Sequence, residues 1–379
     1  MSRLERGRLG SGEQACLPRS AHNVPFELPA KPTGRRIREW AGNGLADFAS
    51  GWLVAFMSGL LVAIAVVDLV WLPFSTVNPN ETLLIGTAIA NAPWALLWVV
   101  LGAMRLQLRK TPLRHRDILS EVVARMQALI MAYVFITMFS IGLLLITYLA
   151  TATSRPLLDS YLAAGDATLG FDWIAFVRLL NSHPTVAYWL SVAYGSLYMQ
   201  VLVLPAILVL TARSARLEEF TAQFGLAGFL TCLIMIVVPA AGTFDFYHPA
   251  PDLLSSFGPG ASTRHLEQLH QLRMLKPFLI EHPEGLVTFP SFHTALAVIF
   301  AYSMRGIRYI ALPVYALNAM LILATLPQGG HYLVDVVAGL AVAAMSIKSV
   351  SWIARIRMPR QVRSENDQSS QRLVEFGRG

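Results

Sequence analysis

Residues 331–353 read HYLVDVVAGLAVAAMSIKSVSWI, an apolar run whose only charged residues are Asp335 near its start and Lys348 near its end. A helix needs about 20 such residues to cross a hydrocarbon core of about 30 Å. Working outward, seven further windows of similar character occur at 52–74, 83–104, 126–150, 187–211, 225–243, 287–304 and 309–326. Lipid offers the backbone no hydrogen-bond partners, so each span must be helical. The expected fold is all-α, a polytopic membrane helical bundle of about eight transmembrane helices.

Composition agrees. Of 379 residues, 55% are hydrophobic and 14% charged, against about 25% charged in soluble domains, and the mean hydropathy is +0.52. Cys16 lies in a polar tail and Cys232 in an apolar run, so neither a disulfide framework nor a zinc site is expected. The first 40 residues hold no apolar stretch ending in a small-residue cleavage site, and no cleavable signal peptide is read there.

Basic residues orient the bundle. If eight spans alternate, 25 of the 30 Lys and Arg fall on one side, leaving Arg155, Arg178, Arg264, Arg273 and Lys276 on the other. The positive-inside rule makes the rich side cytoplasmic, with both termini there. The net charge of +7 therefore reports topology and contact with anionic membrane lipid, and no nucleic-acid partner is expected. Seven of nine histidines (His183, His248, His265, His270, His282, His293 and His331) fall at the extracytoplasmic side, where imidazoles can move protons near neutral pH.

Two places pair polar residues with the outer end of a span. Phe289-Pro290-Ser291-Phe292-His293-Thr294 opens the sixth; Pro290 suits a first helical turn, and Ser291 can cap beside free N–H groups that attract anions. Gly329-Gly330-His331-Tyr332-Leu333-Val334-Asp335 opens the eighth. His331 and Asp335 are four apart, one turn on one face. A carboxylate on one imidazole nitrogen orients the ring and leaves the other free as a nucleophile. Gly330 permits close approach of a bulky group such as phosphate.

These residues resemble the second and third signatures of the type 2 phosphatidic acid phosphatase superfamily, P-S-G-H and S-R-x5-H-x3-D. The resemblance is close over 225–353 and extends to a six-helix core at 126–353. It implies four segments: a cytoplasmic basic tail (1–51), two additional N-terminal transmembrane helices and a basic loop (52–125), a phosphatidic acid phosphatase-like catalytic core (126–353) and a cytoplasmic tail (354–379). There are departures. Thr325 stands at the family's arginine, Ala324 at its serine and Phe292 at its glycine, while Arg273 through Lys276-Pro277 is a loose substitute for the first signature, K-x6-R-P. These departures are similar to the inositol phosphorylceramide synthase-like (inositolphosphotransferase) branch.

By that resemblance His331 is the nucleophile, Asp335 orients it and His293 protonates the leaving group. Ser291, Gly330, Arg273 and Lys276 are the candidates for binding substrate phosphate. The partners implied are a lipid phosphate, with water or an alcohol as acceptor, and the activity is that of a lipid phosphatase or phosphotransferase at the extracytoplasmic face of a cell or inner membrane. No cofactor and no metal are called for, since no carboxylate cluster suits two-metal chemistry. A transporter or scramblase, and a catalytically inactive structural relative, are the alternatives.

Other polar residues have plainer expectations. Asp68 is placed near an outer helix end, snorkelling outward. Asn91, Asn318, Tyr194, Tyr198 and Gln200 are read as hydrogen-bonding between helices, and Trp173 and Trp189 as an aromatic belt. Asp245 and His248 are candidates for the site's rim. Phe171–Phe176 is expected to form an interfacial amphipathic helix.

Overall fold

The computed structural model describes residues 51–110, 115–257 and 264–356. The segments at 1–50 and 357–379, with Cys16 and the expected cytoplasmic tails, lie outside the described residues. Twelve α-helices follow in order among those residues: α1 (Gly51–Trp71), α2 (Glu81–Lys110), α3 (Arg116–Thr151), α4 (Asp159–Thr168), α5 (Trp173–Asn181), α6 (Pro184–Leu210), α7 (Ser214–Val237), α8 (Thr243–Tyr247), α9 (Arg264–Arg273), α10 (Phe292–Ser303), α11 (Ala311–Gln328) and α12 (Leu333–Ile356). Two three-residue strands, β1 (Val77–Pro79) and β2 (Phe278–Ile280), pair in parallel.

Among the described residues seven helices are long and apolar enough to cross a membrane, as in an integral membrane protein. The window expected at 287–304 departs from this. Its helix, α10, has 12 residues, about 18 Å at 1.5 Å per residue, short of the hydrocarbon thickness. The N-cap is Ser291, so Pro290 precedes the helix instead of occupying its first turn. At the other end Gly306 (φ 68°) and Tyr309 (φ 65°) take left-handed conformations that break the chain direction.

Helical structure also reaches further than hydropathy indicated. Much of the basic segment at 105–125 is helix, since α2 continues to Lys110 and α3 begins at Arg116. There Arg125 Nε donates to Glu121 Oε1 at 2.7 Å, an i, i+4 pair buried in the bundle. Helix α7 ends at Val237, two residues before Pro239, and not at 243.

The core is built around α3 and α7, which pack on each other. Helices α1 and α2 pack on α3, α11 packs on α6 and α10, and α10 also packs on α7 and α12. Small residues permit these approaches: a β carbon at Gly225 would stand 2.5 Å from Phe139, and one at Gly142 2.5 Å from Ile64. Asn318 Nδ2 donates to Gln200 Oε1 at 2.7 Å, tying α11 to α6 as expected. The Asn91 amide instead returns to Thr87 O in its own helix, and Tyr198 faces outward.

Asp68 does not snorkel. It is buried on α1, and a β carbon at Gly142 of α3 would lie 3.4 Å from its Oδ2. Helix α1 points this face into the bundle because Met57, Leu60 and Ile64 share it with Asp68.

Candidate active site

The site forms where the starts of α10 and α12 meet. In α12, Asp335 is the third residue, and its Oδ2 accepts the Tyr332 N–H at 2.9 Å. This is the reach-back of an N3 side chain to the residue before the helix, which satisfies a donor the helix leaves open. The same Oδ2 lies 3.2 Å from His331 Nδ1, with both side chains almost fully buried. His331 therefore meets Asp335 from the turn preceding α12, not from a shared helical face. Asp335 Oδ1 is buried and has no hydrogen-bond partner among the described residues.

Two glycines shape the turn. A β carbon at Gly329 would come within 2.8 Å of His331 Cδ2 and 3.2 Å of its Nε2, so the Cδ2–Nε2 edge of the imidazole lies against this backbone. Gly330 is left-handed (φ 62°), and a β carbon there would meet Phe244 Cδ2 at 2.8 Å. The space beside Gly330 is filled by the Phe244 ring, which accounts for this glycine by packing. The Gly330 carbonyl accepts the Thr243 N–H at 2.8 Å, and among the described residues the Gly330 N–H has no protein acceptor.

His293 follows the N-cap of α10. Its ring stacks on Tyr194 of α6, centroids 4.7 Å apart and planes 11° from parallel, and lies near enough to His331 for the two imidazoles to interact electrostatically. Ser291 is fully buried and works as a cap: its Oγ accepts the Thr294 N–H at 3.4 Å and the Thr294 hydroxyl at 3.1 Å, and its own N–H donates to Asp335 O at 3.0 Å. Among the described residues the N–H groups of Phe292 and His293 have no protein acceptor, the donors a helix N-terminus leaves for an anion.

The structure brings His331, Asp335, His293, Ser291 and Gly330 into one place. It does not tie Arg273 and Lys276 to them. Arg273 Nη2 donates to Arg155 O at 2.7 Å, and Lys276 is exposed just before β2. Asp245 Oδ1 instead pairs with His270 Nε2 at 2.8 Å, joining α8 to α9, and His248 is exposed in a left-handed turn (φ 46°). Thr325, at the family's arginine position, is buried and donates to Ile322 O.

Two carboxylates that sequence reasoning passed over hold the site. Asp159 accepts from Ala241 N (3.0 Å), Gly242 N (2.8 Å) and Tyr332 Oη (3.1 Å). Asp166 accepts from Leu333 N and Val334 N, both at 2.9 Å, capping α12 from another helix. Burial raises the Asp166 pKa, and the two backbone bonds oppose that rise. Both acids lie seven apart on α4, hence on one face. That spacing was the only signal available.

Beside the site the expected helix near Phe171–Phe176 appears as α5, capped by Asp172, which accepts from Ala175 N at 3.0 Å. Trp173 is not an interfacial belt residue. It is 1% exposed, stacks on Tyr247 and donates Nε1–H to Leu326 O at 3.1 Å. Trp189 does face outward.

With this geometry described, comparison with known proteins places the chain. The sequence model of the PAP2 superfamily matches residues 160–349, half of the chain. The chain belongs to the PAP2 superfamily. The matched segment begins within α4 and contains Asp166, both histidines of the site and Asp335. Superfamily membership implies a phosphatase or phosphotransferase fold that acts on phosphorylated substrates. No curated protein and no solved structure matches the chain.

Proposed function

We propose that this PAP2 protein is an integral-membrane phosphoryl-transfer enzyme acting on a lipid phosphate at the extracytoplasmic face. The observation that carries the reading is the buried His331–Asp335 contact of 3.2 Å with His293 beside it. Asp335 Oδ2 holds the proton on His331 Nδ1, which leaves Nε2 with its lone pair for attack on phosphorus. The P–O bond to the leaving alcohol breaks as the N–P bond forms, and His293 donates a proton to the departing oxygen. Water or an alcohol then gives its proton to His293 and attacks the phosphohistidine, which restores both imidazoles.

Charge on the transferring oxygens needs donors aimed at it. The open N–H groups of Phe292, His293 and Gly330 supply neutral donors in place of the arginine that Thr325 replaces. Arg273 and Lys276 are the proposed loop cations that would approach once a phosphate is bound. Every role falls to this chain's own groups, with no metal in the scheme. The extracytoplasmic assignment rests on the 25-to-5 division of basic residues.

Transfer to an alcohol such as inositol is the finer proposal, supported by Thr325 and Phe292 standing where the superfamily pattern has arginine and glycine. The test is turnover of labelled phospholipids by purified protein, with and without inositol or glycerol, scoring free phosphate and new phosphodiester together. His331→Ala should lower turnover about a thousandfold or more, and His293→Ala about 10²- to 10⁴-fold. A new phosphodiester only with added alcohol means transfer; phosphate release alone means hydrolysis. Wild-type rates in His331→Ala would overturn the mechanism.

A further inference from the structure

A cavity of about 170 Å³ lies between α3 and α7, with Phe292 in its lining. Leu143 and Thr147 of α3 and Phe224 and Thr231 of α7 line it, together with Leu286 and Phe292. Along α3 its lining runs from Ser140 to Thr147, roughly 10 Å at 1.5 Å per residue. The space equals about six waters at ~30 Å³ each.

Water is a poor occupant. The Ser140 and Thr147 hydroxyls donate to carbonyls of their own helix, at 2.8 and 2.7 Å. Thr231 Oγ1 is the one lining hydroxyl that is buried without a partner, whereas an enclosed water needs two to four polar partners. The cavity is therefore a hydrocarbon-lined space inside the membrane-spanning part of the bundle.

Its lining adjoins the site along the chain. Phe292 forms part of its wall, contacts Phe224 edge-on with centroids 6.0 Å apart, and is bonded to His293. The closing segment at 285–287 runs on to Thr288, whose carbonyl faces His331. Phe292 and Val287 line the cavity, and their chain neighbours His293 and Thr288 belong to the site.

We infer that this cavity receives a hydrocarbon chain of the phosphate-bearing substrate, with Phe292 as the residue that governs which chains pass. The inference rests on the phosphoryl-transfer reading for the phosphate end; the chain site stands on the cavity itself.

The experiment uses the full-length protein in nanodiscs with a single-chain lysophosphatidic acid carrying a diazirine in its acyl chain. Photolabel should map to 140–147 and 228–232. Thr231→Leu fills the space without removing a hydrogen bond, and Gly285→Trp adds bulk at the rim, where a β carbon meets nothing within 4 Å. Each should lower cavity labelling about tenfold while label on outward-facing Trp98 persists as a folding control. The same variants should lower the ratio of lysophosphatidic acid turnover to p-nitrophenyl phosphate turnover about tenfold.

Label spread over the outer helix faces and unchanged in both variants would overturn the chain site, even with normal turnover. Cavity-specific label with no turnover of either ester would leave the chain site standing and sink the phosphoryl-transfer reading instead.

Discussion

Gly339 of α12 lies so close to Ser291 that a β carbon on it would stand 2.4 Å from the Ser291 carbonyl oxygen and 2.9 Å from Thr294 Cβ. Ser291 in turn donates its N–H to Asp335 O. The absent side chain is what lets the first turn of α10, with His293, seat against the helix that carries Asp335.

Gly339→Ala should therefore push α10 away from α12. Overpacking of this kind costs about 1–3 kcal/mol, seen as a lower Tm in detergent. A misplacement of about 1 Å should also cost turnover about a hundredfold. Wild-type activity in a folded Gly339→Ala protein would show that the seating is not needed for the chemistry.

Asp166→Asn tests the cap on α12. An amide oxygen can accept from Leu333 or Val334, while its NH₂ opposes the other donor, a loss of about 1–2 kcal/mol. pH supplies a second readout. Because the folded-state pKa of Asp166 is raised, the folded protein holds this proton more tightly than the unfolded chain. The associated stability is present below the usual carboxylate value and is lost as pH rises through the folded pKa. Asp166→Asn should remove that part of the slope in Tm against pH.

Asp159 joins two loops by accepting three bonds, one of them from the buried Tyr332 hydroxyl. Asp159→Ala leaves three donors unsatisfied and should cost about 3 kcal/mol or more, whereas Tyr332→Phe removes one bond and should cost about 1 kcal/mol. In the double variant the Tyr332→Phe effect should vanish, because its acceptor is already gone. Additive losses in thermal unfolding would contradict a direct coupling.

Asp68 Oδ1 is buried in α1 with no partner. A buried unsatisfied oxygen costs about 1–3 kcal/mol, so Asp68→Leu should raise Tm. If that variant instead abolishes turnover, Asp68 takes part in the reaction cycle and its burial is a functional feature.

Much of the architecture was legible before any coordinates, for reasons that lie in single residues. Asp335 four after His331 is a local spacing, and the two side chains do meet, through the turn before α12 instead of along one helical face. The exceptions are instructive. Trp173 looks like a belt residue in sequence because an indole suits both an interface and a core, and only the Leu326 carbonyl within reach of Nε1 settles the matter. Tyr194 reads in sequence as an interhelical hydrogen-bonder, yet it presents its face to His293. Asp68 looked exposed because hydropathy gives depth in the membrane and says nothing of which side of a helix meets its neighbours.

Residue order alone gave the helices that are long and apolar enough to cross a membrane, from the backbone's need for partners in lipid, and singled out His331 with Asp335, although their contact runs through the turn before α12. Tertiary structure alone decided what surrounds that pair. Asp166 reaches Leu333 across 167 positions, Asp159 reaches Tyr332 across 173, and Trp173 reaches Leu326 across 153. Such contacts leave no local periodicity behind. They exist because the bundle leaves few other partners for buried donors, and a buried polar group must find the one that packing brings to it.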